Sequence, residues 1–96
     1  MKQEGKIMTD QDIEASLYPC QFPIKVIGEN TDKLGKVIIE VMASLDEVID
    51  PGELTATHSK NGKYVSITFS IMAMGREHIE RIYSALKAQE EVKMVM

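Results

Sequence analysis

The stretch that most restricts how this chain can fold is YVSITFSIM, residues 64–72. Val65, Ile67, Phe69 and Ile71 alternate with Tyr64, Ser66, Thr68, Ser70 and Met72. Side chains on a strand point to opposite faces in turn, so this period makes a strand with one buried face and one open face. Asn61-Gly62 lies just upstream, and that pair suits the positive dihedrals of a tight hairpin. The preceding segment, residues 54–59, is rich in threonine and reads as the partner strand.

Two helices follow from a different period. Leu34, Val37, Ile38, Val41, Met42 and Leu45 fall on one stripe of a helix expected over residues 32–48. Asn30 or Thr31 can cap its start, and Asp50-Pro51-Gly52 forces its stop. Ile39 lies off the stripe. Ile79, Ile82, Tyr83 and Leu86 form the stripe of a second helix, expected over residues 76–89. Residues 22–27 read as the first strand, with Phe22, Ile24 and Val26 on one side and Pro23, Lys25 and Ile27 on the other. Pro23 belongs at the strand's beginning, since it cannot donate to a ladder, and Gly28 ends it. The final strand is EVKMVM, with Val92, Met94 and Met96 on one side and Lys93 and Val95 on the other.

The order strand, helix, strand, strand, helix, strand, with right-handed crossovers, puts both helices on one face of the sheet. The expected fold class is α+β: a ferredoxin-like βαββαβ two-layer sandwich with a four-stranded antiparallel sheet in the order 4-1-3-2. Residues 1–16 are expected to be a flexible tail, with one helical turn capped by Thr9, and residues 17–96 one domain.

The stretches Tyr18-Pro19-Cys20 and Phe22-Pro23-Ile24-Lys25-Val26-Ile27-Gly28 resemble the opening of the YbeD-like family of small uncharacterised bacterial proteins. The hairpin SKNGKYVSITFSI, Ala73 and the ending Val92-Lys93-Met94-Val95-Met96 match its second half. Members often carry asparagine where Met72 stands here. The resemblance implies a ferredoxin-like fold similar to regulatory ACT domains, and it implies no established enzyme activity.

Composition bears on function mainly by exclusion. A net charge of -4 argues against a general nucleic-acid binder. The third strand also lacks the aromatic platform on which an RNA-recognition motif stacks bases: of its outward residues only Tyr64 is aromatic. One cysteine cannot form an internal disulfide, and no apolar run is long enough for a membrane span, so the expected location is cytoplasmic.

The candidate chemistry is sparse. Cys20, His58 and His78 show no close metal-ligand spacing, so no metal and no cofactor is expected. A cysteine nucleophile needs a base, and the enzymatic or redox alternative pairs Cys20 with His58 or His78. The favoured reading is a non-enzymatic regulatory or binding domain acting through a small metabolite or a protein partner, with a homodimer as one form. For a ligand, the loop Gly28, Glu29, Asn30 and Thr31 is the candidate, and its acidic neighbours suit an amino group or a neutral ligand better than an anion. The start of the second helix is the alternative for an anion. For a partner, the open sheet face is the candidate: Lys25, Ile27, Tyr64, Ser66, Thr68, Lys93 and Val95.

Overall fold

The computed structural model describes Thr9 and residues 16–96. Of the expected tail and its helical turn, only Thr9, Ser16 and Leu17 are among the described residues, the last two helical. The elements are β1 (Cys20–Glu29), α1 (Lys33–Ser44), a single 3-10 turn (Pro51–Glu53), β2 (Thr55–His58), β3 (Tyr64–Ala73), α2 (Arg76–Lys87) and β4 (Val92–Val95). All four strands form one antiparallel sheet in the order β2-β3-β1-β4, which is 4-1-3-2 counted from the other edge.

β1 and β3 pair along their whole length, from Cys20 opposite Ala73 to Glu29 opposite Tyr64. This register turns the even residues of β1 and the odd residues of β3 to the same side. There they meet the helices. Ile24, Val26, Phe69 and Ile71 are buried against Leu34, Ile38 and Met42 of α1 and Ile82 and Leu86 of α2. Both helical stripes face the sheet as their 3.6-residue period requires.

β1 is longer than its hydrophobic run suggests, and Pro23 sits inside it. The backbone explains why this is tolerated. Lys25 N–H donates to Met96 O on the β4 side, and Met96 N–H returns the bond to Lys25 O. The amide position two residues earlier, at Pro23, points to the same side but beyond the reach of β4, so no ladder bond is lost.

Gly28 does not end the strand. It lies buried in the ladder, opposite Val65 on one side and Val92 on the other. A Cβ built there would collide with the carbonyl oxygen of Glu91 and press both methyls of Leu34 at 3.1 Å. The missing side chain lets the chain entering β4 pass close over β1.

The same crossing corrects the facing of β4. Val26 pairs with Val95 and Ile27 with Met94, but Gly28 pairs with Val92. Lys93 is the extra residue of a β-bulge, which shifts the alternation by one. Val95 is therefore buried at 8% exposure, while Met94 and Met96 point outward at 53% and 57%. Strict alternation predicts the reverse.

Two turns also differ from expectation. α1 stops at Ser44, well before Asp50-Pro51. Asp46 takes a left-handed conformation (φ 63), Asp46 N–H donates to Ala43 O, and Glu47 N–H donates to Met42 O. This is a Schellman ending built on aspartate in place of glycine. The hairpin has a five-residue loop instead of a two-residue turn. Gly62 alone has positive φ (73), while the Asn61 side chain accepts from Lys63 N–H at 3.0 Å and the Ser59 hydroxyl accepts from Tyr64 N–H.

Two stability outcomes follow. Gly28→Ala, a change that elsewhere in a strand is neutral or favourable, is expected to lower stability by about 2 kcal/mol because neither Glu91 O nor Leu34 can withdraw. Asp46→Gly is expected to raise it by about 0.5–1 kcal/mol by relieving the left-handed backbone. Urea unfolding with unchanged m-values measures both.

Candidate functional site

The outer face of the sheet is covered by no described element. The strand registers place its side chains in rows. One row runs Met94, Ile27, Ser66, Thr57. The next runs Met96, Lys25, Thr68, Thr55, with Met96 joined to Lys25 by the backbone bonds above. Pro23 opposite Ser70, Gln21 opposite Met72 and Glu29 opposite Tyr64 complete the surface. Apolar side chains gather on β1 and β4, and hydroxyls on β3 and β2. Tyr64 is half in contact with its neighbours, with Lys63 Nζ 5.3 Å from its ring centroid.

Five of the seven residues expected on this face are there: Lys25, Ile27, Tyr64, Ser66 and Thr68. The bulge changes the setting of the other two. Val95 turns into the core, and Lys93 does not stand beside Lys25, whose neighbour on β4 is Met96. In their place come Met94 and Met96, which alternation had assigned to the buried side. No signal in the sequence distinguishes a bulged β4 from a regular one. The clue is tertiary, in the close passage of Glu91 over Gly28.

The loop proposed as a ligand site is largely occupied by its own contacts. Asn30 N–H donates to Lys63 O at 2.9 Å, and the Asn30 side-chain amide donates to Gly62 O at 3.1 Å, tying the loop to the β2–β3 hairpin. Thr31 Oγ1 accepts from Lys33 N–H at 3.2 Å, and Asp32 at the helix start makes no side-chain cap bond. Neither of the pair expected to cap α1 stands at the cap position, which Asp32 holds: Thr31, one residue outside it, takes the first helical amide, and Asn30 serves the hairpin. Beside the loop lies a depression of about 250 Å³ lined by Glu29, Thr31, Lys33, Glu90, Glu91 and Lys93. Three carboxylates against two lysines leave it acidic, which disfavours an anion there.

At the opposite end of the sandwich, His78 joins three elements. Met74 N–H donates to His78 Nδ1 at 3.0 Å, so the ring's hydrogen sits on Nε2, which meets Glu47 Oε2 at 2.7 Å. The side chains are 13% and 26% exposed. The Schellman turn aims Glu47 at this ring, and the ring caps the approach to α2. The Met74 amide is thereby spent, which weakens the start of α2 as an anion site. This clasp was not legible in the sequence, because Glu47 and His78 are 31 residues apart and share no motif.

The same geometry bears on Cys20, which is half-buried at the start of β1 with a free thiol. His58 pairs with Val65 and Cys20 with Ala73, eight residues apart along β3, or about 27 Å at the usual strand rise. Both nitrogens of His78 are already engaged. Among the described residues, no three His, Cys, Asp or Glu side chains gather as a metal would require. No described helix is long and apolar enough to cross a membrane.

Fold and surface together define a small ferredoxin-like α+β domain whose most open feature is one bare sheet face. Comparison with known proteins places it further. The family described as "Protein of unknown function (DUF493)" matches residues 14–96. A UPF0250 protein of Hahella chejuensis is 38% identical over 91 residues, covering 93% of this chain and all of the relative. One from Paraburkholderia phymatum is 35% identical over 79 residues, covering 82% of this chain and 89% of the relative. The solution structure of protein HP0495 from H. pylori superposes with a TM-score of 0.69 at 20% identity, covering all of this chain and 94% of that one, which speaks to the fold alone. The chain belongs to the DUF493 (UPF0250) family of small bacterial proteins, the YbeD-like family its motifs resemble.

For the clasp, His78→Ala is expected to cost about 1–3 kcal/mol, because Met74 N–H and Glu47 lose their partner together. Glu47→Gln keeps an acceptor oxygen and is expected to cost less. Thermal and urea unfolding of the two variants give the order.

Proposed function

We propose that this domain is a non-enzymatic binding module whose working surface is the uncovered face of the sheet and whose partner is a protein. The observation that carries this reading is the apolar cluster Ile27, Met94 and Met96 on adjacent strands, flanked by Lys25 and by the hydroxyls of Ser66, Thr68, Thr55 and Thr57. A centre of flexible apolar side chains bordered by small polar ones is the pattern of a protein-binding patch. Methionines adapt to a partner's shape at little cost in strain.

The non-catalytic part of the reading draws on the placement of the histidines. His58 lies far from Cys20, and His78 holds Met74 and Glu47 with both ring nitrogens. A domain of this kind regulates by occupancy: it changes what its partner can do by covering or presenting a surface. The Gly28–Thr31 loop ranks behind the sheet face, because Asn30 and Thr31 spend their hydrogen-bonding groups inside the fold.

Photo-crosslinking in the native cell tests this. A benzophenone side chain at position 27 or 94 is expected to give a discrete protein adduct that Met96→Glu abolishes, while the same probe at Lys60 in the exposed hairpin gives none. Met96→Glu should leave stability within about 0.5 kcal/mol, since the side chain is exposed. No adduct from the face, or the same adducts from position 60, would reject the proposal.

A further inference from the structure

Seven of the 96 residues are methionine, and those among the described residues divide into two kinds. Met42 is fully buried in the core. Met72, Met74, Met94 and Met96 are exposed, and none of the four belongs to the core or to the side chains packed against it. Met94 and Met96 stand next to each other on the outer sheet face, beside Ile27 and Lys25. Together with Ile27 they make up the apolar centre of that face. Met72 shares the face but lies opposite Gln21, six residues from Ser66 along β3, or about 20 Å at the usual strand rise.

A thioether at the surface is open to two-electron oxidation, and a buried one is shielded from it. With hydrogen peroxide as oxidant, the sulfur lone pair attacks one oxygen and an S–O bond forms as the O–O bond breaks. The hydroxide released takes the remaining proton from the new S–OH and leaves as water. The product is a sulfoxide. Two thiols reverse the step: they are oxidised to a disulfide, and the sulfoxide oxygen leaves as water.

We infer that Met94 and Met96 form a reversible oxidation site through which peroxide releases the partner of the outer sheet face. This rests on the reading of that face as a protein-binding surface. Oxidation at both positions leaves Ile27 as the sole apolar side chain of the centre. It also sets two strong hydrogen-bond acceptors where a partner's apolar groups would pack. A bound partner must then bury them unpaired or let water in, and either weakens the contact. The fold itself is spared, because Met42 is out of reach and the exposed methionines pack on nothing in the core. Leucine at both positions would supply similar apolar surface and be inert to peroxide.

The purified full chain, with the benzophenone at position 27, is treated with dilute hydrogen peroxide, freed of it, and added to fresh native-cell extract before irradiation. Peptide mass spectrometry is expected to find sulfoxide at positions 94 and 96 at least about tenfold sooner than at Met42. The discrete adduct should fall at least about fivefold with circular dichroism unchanged. Methionine sulfoxide reductase with a dithiol should restore it. Met94→Leu combined with Met96→Leu should hold the adduct through the peroxide step, whereas Met72→Leu combined with Met74→Leu should not. The inference is overturned by an adduct that persists when both positions are sulfoxide, by a loss that survives in the first leucine pair, or by a loss that the reductase leaves in place. Oxidation of Met42 as fast as of Met94 and Met96 overturns it too. An untreated chain that gives no adduct rejects the binding face and this site with it. An untreated chain whose adduct oxidation spares rejects the oxidation site alone.

Discussion

The ten-residue ladder between β1 and β3 is the constraint on which the rest of the molecule depends. It joins Cys20 to Ala73 at one end and Glu29 to Tyr64 at the other without interruption. Because side chains alternate, this one register decides which residues reach the helices and which reach the open face. A slip of one residue would put Ser66 and Thr68 into the core and Ile67 and Phe69 into water. The buried face holds both helical stripes, and the helices in turn fix the turns that carry Glu47 and His78 into contact.

Much of this was legible because it rests on periodicity. The alternation of residues 64–72, the stripe from Leu34 to Leu45 and the stripe from Ile79 to Leu86 each admit one regular reading, and the order of elements then selects the topology. What escaped was set by contacts between distant residues. β4 is short and apolar on both sides of Lys93, so its pattern fits a regular strand as well as a bulged one. The close passage of Glu91 over Gly28 decides between them. Asp46 as a helix ending was hidden because aspartate is an uncommon left-handed residue, and Pro51 drew the boundary too late. In the hairpin, Asn61-Gly62 was the right place but the wrong geometry: the asparagine works through its side chain.

The candidate surface was legible to the same degree. Lys25, Ile27, Tyr64, Ser66 and Thr68 follow from β1 and β3, whose faces are fixed by long runs. Val95 was misplaced with β4, and Lys93 proves to be the bulged residue. The correction sharpens the binding reading, because a bulge that hides one valine exposes two methionines next to Ile27. Ile39, off the main stripe of α1, is nonetheless half-buried and packs against the edge of the core.

The central ladder also has a consequence for how the chain is made. Ile24 finds its partner in Phe69, which is synthesised 45 residues later. At about 5–20 residues per second, β1 waits roughly 2–9 seconds with its core face uncovered. During that interval Ile24 and Val26 form the kind of apolar strand that recruits neighbouring chains. Pro23 and Lys25, set directly before and between them, act as gatekeepers: one cannot donate to an intruding ladder, and the other carries charge into it. In the finished fold both point harmlessly outward, Pro23 beyond the reach of β4 and Lys25 beside Met96. Their placement protects the strand at a stage when no fold yet exists to do so.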